Sequence, residues 1–425
     1  MSSPLESSRR EPTRLYRWIV LVFISLAMFG NYYIYDSIGP IADILKSDLG
    51  FSDRNIGSLN SVYSIAAIFI LLIGGVVIDK YGTKKSVLFF GSLCTLAAFV
   101  TMSSSRLSVM LTGRVLLGLG AEPLIVAITT ALAKWFKGKE LSFAFGINLT
   151  IARLGSVAAD TSPRWAQTFY TDWQHPLMIA AVLSIFCVIG GLIYFFLESY
   201  SEKHHTLGRA AERDKLVLGD LFKFNTSFWF IVALCVTFYS AIFPFRTFAI
   251  KFFQEAHGVS REVAGPLNSV LPLSALIVTP FFGLLVDKIG KRAHLMMLGS
   301  VLLIPVYLML VYTDISLYIP IALMGISFSL IPAVMWPSVA YIVEENRLGT
   351  AYALMTLIQQ IGLAGFNWLI GFANDYSNAG PANPEGYRPG MWIFSVLGFL
   401  GLFFAFMLQK ADQKHGGHLA SPHGN

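Results

Sequence analysis

Gly75-Val-Val-Ile-Asp79-Lys80-Tyr-Gly82-Thr-Lys84-Lys85 closes one long apolar run of the chain. Gly283-Leu-Leu-Val-Asp287-Lys288-Ile-Gly290-Lys291-Arg292 closes another, 208 residues later. The shared pattern is Gly-x-x-x-Asp-Lys-x-Gly followed by basic residues. It recurs at an offset of about half the chain length, so the unit that repeats is half of the molecule. In each copy a run long enough to cross a bilayer gives way abruptly to a short loop crowded with charge. Read outward from these two points, the chain consists of further apolar runs joined by short polar turns.

Composition agrees with that reading. Of 425 residues 55% are hydrophobic and only 13% charged, with 34 Phe, and mean hydropathy is +0.62. A soluble globular chain carries about a quarter of its residues as Asp, Glu, Lys and Arg. Half that share cannot cover a water-facing surface of this size. Three cysteines, Cys94, Cys187 and Cys235, are an odd number without pair spacing, which excludes a disulfide-stapled secreted fold. A formal charge of +6 without a long basic stretch does not suit a nucleic-acid binder.

A spanning helix needs about 20 mostly apolar residues. Such runs lie near 17–38, 56–78, 86–105, 108–133, 141–165, 176–198, 226–250, 263–286, 293–313, 316–342, 349–373 and 389–409. The fold class expected is an all-α membrane protein: twelve transmembrane helices in two pseudo-symmetric six-helix halves, 1–198 and 226–425, joined by a cytoplasmic linker at 199–225. The first run is too long for a signal peptide and is expected to be retained. With both termini placed in the cytoplasm, 21 of the 31 Lys and Arg fall inside, 7 outside and 3 within spans (Arg114, Arg153, Arg246). That bias fixes the expected orientation. No phosphate-binding Gly-x-x-x-x-Gly-Lys-Ser/Thr and no Cys/His metal spacing occurs, so neither an enzyme nor a cofactor or metal is expected. His204 and His205 read as solvated linker residues.

Twelve spans with a duplicated Gly-x-x-x-Asp-Lys-x-Gly loop resemble the major facilitator superfamily. Arg114-x-x-x-Gly118 resembles a second motif of that family. Residues 146–163, GINLTIARLGSVAADTSP, lack the Gly-x-x-x-Gly-Pro run of its drug/proton antiporters. Several runs are similar to the branch that contains the eukaryotic lysosomal dipeptide uniporter. They are Tyr35-Asp36, Gly118-x-Gly120-x-Glu122, Trp135-Phe-Lys-Gly-Lys-Glu-Leu141 and Ala152-Arg153-x-Gly-Ser156. In the second half they are Phe243-Pro-Phe245, Gly283-Leu-Leu-Val-Asp-Lys288, Trp336-Pro-x-Val-Ala340 and Leu348-Gly-Thr-Ala-Tyr352. Arg246 and Asp160 depart from that branch. The resemblance implies an alternating-access secondary transporter in a lipid bilayer, moving a small zwitterionic or anionic solute by uniport or with protons. Dipeptides or amino-acid-like molecules come first. The short loops and brief N-terminus look bacterial, which implies an inner membrane. A monomer is expected, with an accessory subunit left open.

Ionisable groups inside a bilayer are costly and mark functional sites by default. Glu122 and Arg153, mid-span on consecutive helices, are read as holding a substrate ammonium and carboxylate; the resemblance implies the same roles, and the plainer alternative is a structural pair. Tyr32 and Asp36, four apart on one face, suit a substrate amine or a coupling proton, or else Asp36 caps the helix. Arg246 follows Pro244 and is the second-half counterpart of Arg153, or else it snorkels to headgroups. Asp160 is read as a proton site or a hydrated residue near the end of its span, and Lys251 as close to the outer surface. Proton-coupling candidates are thus Asp36, Glu122 and Asp160. Gln360 and Asn367 share a face and, with Trp336, are read as lining the substrate path, or as interhelical contacts. Gly75, Asp79, Lys80, Gly82 and Lys84, with Gly283, Asp287, Lys288, Gly290 and Lys291, are read as gating locks, and Arg114 as a helix-interface residue of the same machinery. Two further readings remain open: a carrier of organic anions, metal chelates included, that uses both arginines, and a non-transporting membrane receptor of the same fold.

Overall fold

The computed structural model describes residues 11–136, 140–207, 224–344, 347–414 and 416–421. Twelve of its helices are long and apolar enough to cross a membrane, and they coincide with the twelve expected runs to within several residues at most ends. Among the described residues, thirteen α-helices follow in chain order. They are α1 (Arg14–Asp36), α2 (Ala42–Leu49), α3 (Asp53–Tyr81), α4 (Thr83–Met102), α5 (Leu107–Phe136), α6 (Leu141–Trp165), α7 (Gln174–His204), α8 (Thr226–His257), α9 (Arg261–Ile289), α10 (Arg292–Tyr312), α11 (Tyr318–Ile342), α12 (Leu348–Tyr376) and α13 (Arg388–Lys414). The extra one is α2, a short continuation of the first span beyond a 3-10 turn at Gly39–Ile41. The seventh span runs past its apolar stretch to His257, where Gly258 caps it.

Among the described residues the helices form two compact units. The first comprises Met1–Ser37, Ile65–Ala159 and Gln174–Glu212; the second comprises Ile38–Ser64, Asp160–Trp173 and Arg213–Asn425. The division does not follow the chain midpoint, because α3 and α6 each belong to both units, changing at Ser64 and at Asp160. Residues 208–223 of the expected linker lie outside the described residues, and 199–204 continue α7 as helix.

In the first unit α4 packs on α5 and α7, and α1 packs on α7. The loop that opens the sequence reading becomes a tight corner: Gly82 takes φ +80°, a conformation costly for any residue with a Cβ, and α4 starts at once. Thr83 and Lys84 then turn into the unit. The Thr83 hydroxyl donates to Glu198, which is 1% exposed and also accepts from Lys134 at 2.6 Å, while Lys84 pairs with Glu202 at 2.5 Å.

In the second unit α10 packs on α11 and α13, α9 on α11, and α8 on α12 and α13. Its copy of the loop makes the same corner, with Gly290 at φ +65° and Lys291 at +45°. The chain end folds back over it: the backbone N–H groups of Lys291 and Arg292 donate to the carbonyls of Ala420 and Leu419. Arg292 donates to the Ser421 carbonyl and to Tyr341, over whose ring it lies at 3.9 Å.

From Pro244 to Phe253 α8 is buried on every side. That enclosure is made by α13, α12, α9, α11 and the 3-10 turn Gly39–Ile41, with Asp53 and Asn60 of α3 and Asp160 of α6 reaching α8 through side chains; together they form the far end of the unit. Elsewhere large apolar side chains stand outward, such as Phe69, Val76, Phe281 and Leu284 at 64–70% exposure, as hydrocarbon contact requires.

Candidate functional site

Arg153, Tyr32, Glu122 and Asp36 come together in the first unit. The Arg153 guanidinium lies over the Tyr32 ring with its carbon 5.5 Å from the centroid, an attraction between cation and ring face. Glu122 and Asp36 lie close enough to the Tyr32 hydroxyl to act on it electrostatically together with Arg153. Each of the four is half-buried. α5 carries Glu122 directly before Pro123, whose ring meets α3 at Gly74 and fixes that crossing. The result is a tyrosine ringed by two acids and one guanidinium, inside helices that otherwise present apolar residues.

Beside this cluster α1 ends at Asp36. Its last carbonyls lack partners within the helix, and the fully buried Arg114 supplies them, donating to Ile34 at 3.1 Å and Tyr35 at 3.2 Å. Arg114 therefore fastens the end of α1 next to the cluster.

Arg246 is elsewhere, at the far end of the second unit. It donates to Asp160 at 2.8 Å, and Asn268 donates to the other oxygen of the same carboxylate at 2.8 Å. Arg246 is 4% and Asp160 1% exposed. The expectations of a snorkelling arginine and of a hydrated aspartate are both corrected: α8 is enclosed by protein here, so neither side chain reaches water or headgroups. Lys251, expected near the surface, is also enclosed, with 0% exposure. It pairs with Asp53 at 2.8 Å and Glu255 at 3.2 Å and donates to Tyr387 at 2.8 Å. Asp53 accepts further from Asn374, and the Asp375 carboxylate accepts the backbone N–H groups of Asp53 and Arg54 at the start of α3. Asn60 donates to Thr247, and Thr247 donates to Asn367. Asn367 is thus an interhelical contact at this end, and Gln360 is buried about two turns away on α12.

Trp336 donates to the Tyr239 hydroxyl at 2.9 Å, in a group of rings with Phe243, Phe328 and Tyr352. Of the residues read as locks, Asp79 and Asp287 are exposed, and among the described residues no ion pair joins either. Lys80 lies over Tyr81, and Lys288 is exposed beside Asp287. Gly75 and Gly283 lie one turn earlier on α3 and α9.

Sequence reasoning missed Asp53, Asn268, Asn374 and Tyr387. A signal was present for the group: Lys251 stands in Phe248-Ala-Ile-Lys-Phe-Phe253, where a cation with bulky apolar neighbours on both sides demands a buried acid.

A family model described as Major Facilitator Superfamily matches residues 24–249 and 245–422. The chain is 32% identical over 364 residues to the lysosomal dipeptide transporter MFSD1 of Danio rerio, covering 82% of this chain and 79% of that protein. It is 30% identical over 425 residues to the protein of the same name from Homo sapiens, covering 96% and 89%. In structure it is similar to a bacterial homologue of the human lysosomal transporter Spinster in an inward-facing, unoccupied conformation. The TM-score is 0.77 at 16% identity, over 97% of this chain and all of that one.

Proposed function

The chain belongs to the major facilitator superfamily and is a membrane transporter rather than an enzyme; on that premise we propose that it carries dipeptides or closely similar small zwitterions by alternating access. The observation that carries this reading is the cluster of Glu122, Arg153, Asp36 and Tyr32. A zwitterion offers one ammonium and one carboxylate. Glu122 takes the ammonium and Arg153 takes the carboxylate, for which its planar donor fork is suited. Tyr32 holds the guanidinium in place from below and offers a hydroxyl to the substrate's amide. Support comes also from the relatives, which are named as lysosomal dipeptide transporters.

An organic-anion carrier that uses Arg153 and Arg246 together is less well supported, because the Arg246 charge is already met by Asp160 at 2.8 Å. The basic residues of the loops support both termini in the cytoplasm, with the far end on the opposite side.

The test is ligand-dependent thermal stabilisation of the purified protein across dipeptides, free amino acids and dicarboxylates, followed by Glu122→Gln and Arg153→Ala. A ligand at a hundredfold excess over Kd stabilises by about 2.7 kcal/mol. Dipeptides are expected to raise the melting temperature of the parent protein and of neither variant. Stabilisation by dicarboxylates alone, retained in Glu122→Gln, overturns the zwitterion reading.

A further inference from the structure

We infer that Asp160 is a proton-binding site, and that its protonation opens the far end by releasing Arg246. The inference rests on the reading of the chain as an alternating-access carrier, and not on the identity of its substrate. Asp160, in the first sequence half, is clamped by two residues of the second. Arg246 of α8 reaches one carboxylate oxygen at 2.8 Å, and Asn268 of α9 reaches the other at 2.8 Å. Two donors on one carboxylate is the pattern of an ionised acid. The clamp lies where α9 packs closely on α6, since a Cβ on Gly265 would overlap the Asp160 carbonyl.

The charged groups around the pair are few. On α6 itself Arg153 lies seven residues before Asp160 and Arg164 four after it. On α8 Lys251 is taken by Asp53 and Glu255. At the start of α9 Arg261 is paired with Asp43, and Glu262 accepts from Gln167. Tyr387 stands on Lys251. Arg246 is the cation these contacts give Asp160.

For the far end to open, α6 must leave α8 and α9. That separation carries the penalty of breaking a 2.8 Å ion pair and a second hydrogen bond to the same carboxylate in a site that is 1–4% exposed while shut, where water screens the attraction least. One proton taken up by Asp160 from the water on the far side removes the acid's share of that penalty. The Arg246–Asp160 ion pair is replaced by a neutral acid and a guanidinium free to turn to water. When the far end shuts again, the pair re-forms and the proton returns to the far-side water. One proton is therefore bound and released each time the far end opens and shuts, and acid on the far side favours the open end. Asp53 differs: Lys251 and Asn374 hold one oxygen and Lys46 approaches the other at 3.5 Å, so it anchors the same end through several donors.

The experiment uses the full chain with Ser61→Cys as reporter. Ser61 is 5% exposed in the seam where its hydroxyl meets the Ala364 carbonyl of α12, and the native Cys94, Cys187 and Cys235 are all buried. Labelling by a membrane-impermeant thiol reagent is followed against pH without substrate, so a wrong substrate assignment cannot affect it. Labelling is expected to rise several-fold as pH falls, to be high and flat with pH in Asp160→Asn, and to shift to a higher midpoint in Asn268→Leu, which removes a donor from the carboxylate. If Asp160→Asn does not fold, the midpoint of Asn268→Leu decides alone. Labelling that ignores pH in the parent, or a pH response that survives Asp160→Asn or keeps its midpoint in Asn268→Leu, overturns the inference.

Discussion

At the scale of single residues, charge in this protein follows enclosure. Lys251 and Asp53 are both 0% exposed and 2.8 Å apart. Removing one member of such a pair leaves the other buried and unmatched, at a cost of about 3–5 kcal/mol. Lys251→Met and Asp53→Asn are each expected to lower the melting temperature in detergent by many degrees, and the double variant by less than the sum of the two. Additive losses would mean that the pair is not coupled. Glu255→Gln is expected to cost far less, since Glu255 is the outlying partner at 3.2 Å. What was legible at this scale was which residues carry chemistry: an intramembrane Glu, Asp or Arg stands out against apolar sequence. What was not legible was who meets whom. Arg246 was read as a counterpart of Arg153, yet its partner is Asp160, 86 positions away. No spacing rule within one helix reaches that far.

At the scale of elements, α3 and α12 approach each other closely at the far end. Gly371 of α12 lies against the backbone of Asp53 and Arg54 so closely that a Cβ would overlap it. Backbone cannot move aside as a side chain can, and overpacking of this kind costs typically about 1–3 kcal/mol. Gly371→Ala is therefore expected to lower stability by about that amount and to raise labelling of Ser61→Cys at neutral pH; unchanged labelling would show that α12 does not seal this end. The helices themselves were plain in the sequence, because some twenty apolar residues have few alternatives to a span. The enclosure of α8 was not. From Pro244 to Phe253 it is buried all round, and a helix with no polar face has no periodicity from which to infer its neighbours. The two loop glycines were visible as a repeat, and their positive φ values give the physical reason for it.

At the scale of the whole molecule, the duplicated loop announced a duplicated fold, and the family match spans nearly the full chain. Packing partitions it differently, with the start of α3 and the end of α6 joined to the second unit. A sequence repeat records how the chain is built, while contacts record which ends are clasped in one conformation. The 21-to-7 distribution of basic residues predicts that a C-terminal fluorescent-protein fusion lights up and a C-terminal alkaline-phosphatase fusion is inactive; the reverse would invert the proposed orientation. The most direct test of the account is uptake by the purified protein in vesicles holding no other protein. Labelled dipeptide outside is exchanged against unlabelled dipeptide inside, in the parent and in Glu122→Gln and Arg153→Ala. The account predicts dipeptide-driven accumulation in the parent, competed by other dipeptides but not by dicarboxylates, and its loss in both variants. Equal accumulation in the variants, or none in a parent protein that is stabilised by organic anions alone, would contradict it.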